Sequence, residues 1–121
     1  MATKSFKDLI VWQKSINLVV AIYELTNKFP KEEIFAITSQ LRRAAVSIPS
    51  NIAEGKMRGG DIEFRRFLSI AFASGAELET QITISKKLGK TVDLDYNKVD
   101  SLLEEVMKML NKLISQLGPS A

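Results

Sequence analysis

The sequence predicts an all-α fold: an antiparallel up-down-up-down four-helix bundle with a proline kink in the second helix. Three observations carry this reading. Apolar residues recur at three- and four-residue spacings in four stretches of roughly 20 residues each. Glycine, proline and aspartate fall mostly between those stretches, where helices stop and start. No stretch alternates apolar and polar residues as a half-buried strand would. Helices of this size are each about 30 Å long, and short connections favour antiparallel neighbours. The 121 residues are read as one domain, 1–121.

The first helix is expected from about Asp8 to Asn27. It carries two apolar stripes. Leu9, Trp12, Ile16, Val19, Val20 and Tyr23 form the longer one, assigned to the core. Val11, Leu18, Ile22 and Leu25 lie almost opposite. Phe29-Pro30 closes the segment, because the residue before a proline is pushed out of the helical region. The second helix is expected from about Ile34 to Glu54, with a stripe of Ile37, Leu41, Ala44, Ile48 and Ile52. Pro49 sits inside it and cannot donate to the Ala45 carbonyl, so the helix should kink or restart there. Asn51 and Glu54 have capping-box spacing, Gly55 suits a C-terminal cap, and Gly59-Gly60 is a break.

Asp61 is the expected N-cap of the third helix, which runs to about Leu88. Phe64, Phe67, Leu68, Ala71, Gly75, Leu78 and Ile82 form its core stripe. Ser69, Ala73, Ala76, Thr80 and Thr83 form a face of small residues beside it. Asp95 should cap the fourth helix, which stops at Gly118-Pro119. Its stripe of Val99, Leu102, Leu103, Val106, Leu110, Leu113 and Leu117 faces away from a charged side.

Composition narrows the chemistry. The chain has neither cysteine nor histidine. Disulfides, thiolate chemistry, the commonest metal ligands and the commonest general base are therefore absent. The reading is non-enzymatic, with no cofactor, no metal and no small-molecule substrate. No apolar run reaches the roughly 20 residues of a membrane span, and a cytoplasmic location is expected.

The second stripe of helix 1 cannot face the same core as Trp12 and Ile16. Val11, Leu18, Ile22 and Leu25 are therefore expected at an oligomer interface, because a contiguous exposed apolar patch usually marks one. The alternative is that a terminal arm or tail covers them. A polar set of Arg43, Asn51, Glu54, Glu77 and Glu79 is expected as a structural network fixing helix register or subunit geometry. Basic residues Lys56, Arg58, Arg65, Arg66, Lys86, Lys87 and Lys90 are candidate phosphate contacts. The net charge is only +3, but repetition in an oligomer would multiply it. The aromatic residues fall mainly on core stripes, so no exposed base-stacking platform is expected.

Three blocks of the chain resemble a known bacterial family: FKDLIVWQKSINLVVAIYELTNKFPKEE, ITSQLRRAAVSIPSNIAEGKMR and FRRFLSIAFASGAELETQ. The family consists of four-helix bundles and includes the proteins encoded in intervening sequences of 23S ribosomal RNA genes. The resemblance covers nearly the whole chain. It implies a closed ring of subunits, a homopentamer, with no established enzymatic activity. It also implies a relation to the accessory proteins of diversity-generating retroelements, basic bundles that work with reverse transcriptase and RNA. One departure stands out: Ala73, Ser74 and Gly75 replace the family's usual glycine-serine-leucine, which should leave helix 3 packed more loosely there. The combined expectation is a homo-oligomeric bundle that binds RNA or a nucleoprotein partner through basic surfaces. The alternative is a structural or protein-interaction ring without nucleic-acid affinity.

Overall fold

The computed structural model describes residues 5–118. Four α-helices make up the fold: α1 (Ile10–Thr26), α2 (Ile37–Met57), α3 (Asp61–Ser85) and α4 (Asn97–Leu117). Two short 3-10 turns, Phe6–Asp8 and Lys31–Glu33, precede α1 and α2. There is no strand among the described residues.

The helices close a cycle in which α1 and α3 each touch both α2 and α4. Lys14 pairs with Glu105 and Glu24 with Lys98, so the start of α1 meets the middle of α4 and its end meets the beginning of α4. Along α3, Gly75 meets Met107 while the segment just past its end puts Lys86 against Asp100.

The inner α1 stripe, not the outer one, centres the core, and only Leu9, Trp12 and Val19 of the outer stripe pack partly against it. Val11, Leu18, Ile22 and Leu25 are not a subunit interface; Leu18 and Ile22 are 0% exposed, at the centre of the single-chain core. Trp12, Ile16 and Val19 are only half-buried, and Val20 and Tyr23 are exposed. The reason lies at Ser15. With it, the inner seam reads 11, 15, 18, 22, 25, an unbroken alternation of four- and three-residue steps that follows one helix face. Ser15 is fully buried, and its hydroxyl donates to the Trp12 carbonyl at 2.7 Å. A small residue satisfied within its own helix lets the neighbouring helices approach.

α2 continues through Pro49 to Met57 without restarting. Gly55 is not a terminal cap. It is buried within the last turn of the helix, and a Cβ added there would lie 2.5 Å from Phe67 Cβ, so glycine sets the close approach of α2 to α3. The turn that follows uses Gly59 and Gly60 at φ +74° and +92°, conformations that side chains other than glycine's resist. Gly60 is thus the residue that caps α3, and Asp61 is its first helical residue. Asp95 does act at the start of α4: its Oδ1 accepts from the Asn97 N–H at 2.9 Å.

Gly75 does not loosen α3. The Met107 side chain fills the space its missing Cβ leaves. A flexible thioether suits an irregular gap of this kind. The remaining stripes of α2, α3 and α4 pack as their periodicity requires, with Leu41, Ile48, Ile52, Leu68, Leu78, Val106 and Leu110 fully buried.

Candidate nucleic-acid interface

The seven basic candidates separate into two groups near opposite ends of α3. A helix of 25 residues places those ends about 35 Å apart. At one end, Lys56 lies over the Phe64 ring, and Arg58 and Arg66 both lie over Phe67. Arg58 is also paired with Glu54 at 2.7 Å and Arg66 with Glu63 at 3.1 Å. Arg65 is half-buried, and its Nε has no hydrogen-bond partner among the described residues. At the other end, Lys86 pairs with Asp100 at 2.6 Å and Lys90 with Glu32 at 2.7 Å. That last pair pushes Lys90 up and Glu32 down from their ordinary values, chiefly through the hydrogen bond between them. Lys56, Arg65 and Lys87 have no ion pair among the described residues.

The expected polar network of Arg43, Asn51, Glu54, Glu77 and Glu79 does not form as one unit. Glu54 is spent on Arg58, one turn away. Glu79 faces the groove between α3 and α4, whereas Arg43 and Glu77 line a separate groove between α2 and α3. Asn51 donates to the Ser47 carbonyl at 2.8 Å and to the Ser47 hydroxyl at 3.0 Å. Ser47 in turn shares a 2.9 Å hydrogen bond with Ser74 of α3. The network joining these helices is therefore Asn51–Ser47–Ser74. Small hydroxyls fit a tight helix contact; long charged side chains reach solvent instead.

Several surface features were hidden from the sequence. Phe35 is 96% exposed, the most exposed large apolar residue in the described chain. It sits in the turn before α2 and not inside the helix, because α2 begins at Ile37. Around it gather Arg43, Glu77 and Gln81, drawn from two helices. Arg42 stacks over the Tyr23 ring at 4.5 Å, while its guanidinium donates to the Thr26 hydroxyl at 2.9 Å. Basic and aromatic side chains thus do meet on this surface. Their positions lie too far apart in the chain for any local pattern to show it.

On the outer face of α1, Trp12, Ile16 and Val19 form an apolar groove with Phe6 and with Val46 and Pro49 of α2. Val20, Tyr23 and Val46 are exposed on or beside it. No described helix is long and apolar enough to cross a membrane. No group of three or more acidic residues among the described ones is placed to hold a metal ion.

A family model described as 23S rRNA-intervening sequence protein matches residues 7–112, which span all of α1, α2 and α3 and most of α4. The chain belongs to this family. No curated protein matches it. The matched range contains the residues that build the bundle, including Gly55, Ser47 and Ser74. The 23S rRNA-intervening sequence proteins are not a known enzyme family.

Proposed function

We propose that this 23S rRNA-intervening sequence protein works in the cytoplasm as a non-enzymatic homo-oligomer, a ring of five copies, that binds RNA or a nucleoprotein partner through basic surfaces. The observation that carries the assembly is the outer face of α1. The single chain builds its core around the inner seam, with Trp12 and Val19 packed only partly against it, and leaves Val20 and Tyr23 exposed beside the half-buried Ile16. Water-exposed apolar surface of this extent on one helix is what an interface buries.

Nucleic-acid binding is supported by Lys56, Arg65 and Lys87, whose charges are not cancelled by an ion pair among the described residues. Five copies of a +3 chain would carry +15 and repeat each cluster around the ring. A binding assay with single-stranded RNA and DNA over a salt series tests this. Affinity should fall steeply as salt rises, because phosphate neutralisation releases counterions. Lys56→Glu with Lys87→Glu should weaken binding while leaving the ring intact.

One observation favours a ring without nucleic-acid affinity. Arg58, Arg66, Lys86 and Lys90, four of the seven basic candidates, are already paired within the chain. No binding by the assembled wild type at low salt would establish that reading.

A further inference from the structure

We propose that the groove between α2 and α3 beside Phe35 captures an unpaired guanine base. This deepens the RNA-binding reading by naming a base-recognition site, and it draws on none of the seven basic candidates. The groove has a volume of about 470 Å³, within the range of small-ligand pockets. Phe35, Ser39, Gln40, Arg43, Glu77 and Gln81 line it.

Two independent observations indicate that something polar belongs there. Gln81 is only 6% exposed, and its buried Oε1 has no hydrogen-bond partner. Thr38 is 3% exposed, and its Oγ1 is likewise unpartnered. Thr38 lines an adjoining groove that shares Phe35, Ser39 and Arg43 with the first. Two of the three orphaned buried side-chain atoms among the described residues therefore lie beneath one continuous surface. Leaving such atoms unpaired is costly, so each calls for a polar partner that the chain itself does not supply.

The chemistry selects the ligand. Arg43 supplies donors and has no ion pair, and Glu77 supplies a carboxylate that has none either, among the described residues. Glu77 and Gln81 are one helical turn apart on α3, so both side chains border the groove. Guanine alone among the RNA bases carries two adjacent donors, N1–H and the N2 amino group, on its pairing edge. These match the two oxygens of the Glu77 carboxylate. Its O6 and N7 acceptors match an arginine fork. Adenine would set a ring-nitrogen lone pair against the carboxylate, and uracil two carbonyls. Phe35, exposed at the rim, supplies the stacking face that single-stranded recognition uses.

The test uses the full-length protein and fluorescence anisotropy at fixed low salt, comparing a short oligouridine with the same strand carrying one central guanine or one central adenine. The guanine strand should bind roughly tenfold more tightly than either. Glu77→Gln should remove that preference, read as the ratio of guanine-strand to oligouridine affinity, which the lost charge alone would not change. Phe35→Ala should cost the guanine strand roughly tenfold, with helix content and particle mass unchanged. Equal affinity for all three strands, unaffected by either substitution, would overturn the site while leaving phosphate-driven RNA binding in place. Dissociation of the particle by Phe35→Ala would also overturn it and assign the surface to a second copy of the chain. If no strand binds, the RNA reading fails, and a titration with guanosine 5′-monophosphate followed at the Gln81 side-chain amide decides the site alone. A shift absent with uridine 5′-monophosphate upholds it, and no shift ends it.

Discussion

The two apolar faces of α1 look alike in sequence and behave oppositely in the fold. The outer face is the richer one, with Trp12, Ile16, Val19, Val20 and Tyr23, yet Val20 and Tyr23 face solvent. The inner face has smaller residues and a serine within its seam, yet Val11, Ser15, Leu18 and Ile22 are buried. Hydrophobic mass does not decide which face enters a bundle core. Regular spacing and a close fit to the facing helices do, because interiors are packed as densely as organic crystals. An interface can then use the face that carries larger, aromatic residues, which is the usual composition of subunit contacts.

The sharpest way to break this comparison is Leu18→Glu. A carboxylate at a fully buried position with no partner should cost more than about 4 kcal/mol and abolish the cooperative thermal transition. Survival of a normal melt with only the assembly lost would return Leu18 to an interface role. Ser15→Leu sharpens the same point from the other side. It makes the inner seam more apolar, yet overpacking should destabilise by about 1–3 kcal/mol in chemical denaturation. Stabilisation by that substitution would show that fit is not what selects the seam.

A smaller effect should come from Tyr96, buried at the start of α4, whose hydroxyl donates to the Thr91 carbonyl at 2.8 Å. Burial is the main cause that pushes its phenol above the ordinary value of about 10. The neutral form's contribution is then complete below about pH 10 and is lost as pH rises through the folded-state value. Tyr96→Phe should cost about 1 kcal/mol at neutral pH and flatten the alkaline loss of stability relative to wild type. Parallel pH–melting curves for the two proteins would contradict this.

Much of the fold was legible in the sequence because each helix carries its own periodic stripe. On α4, Val99, Leu103, Val106 and Leu110 are buried opposite a charged side, and only one face could serve. α1 offered two faces, and Ser15 made the true seam look interrupted. Gly55 looked like a terminator because glycine ends helices, whereas its use here is to admit Phe67. The candidate site was less legible for a different reason. Phe35, Arg43, Glu77 and Gln81 come from a turn and two helices, and Gln81 has the composition of a surface residue although it is buried. Such a cluster appears only when tertiary packing brings the elements together.

The central claim is that a core completed by one chain leaves the outer face of α1 free to hold copies together. Sedimentation velocity of wild type beside Val20→Glu tests it most directly, with circular dichroism on the same samples. Val20 is exposed, so the charge should leave the isolated bundle's stability within about 0.5 kcal/mol. The expected result is a wild-type particle of five 13.5 kDa chains and a Val20→Glu protein that sediments as one folded chain with undiminished helical signal. A monomeric wild type, or a Val20→Glu particle of unchanged mass, would contradict it.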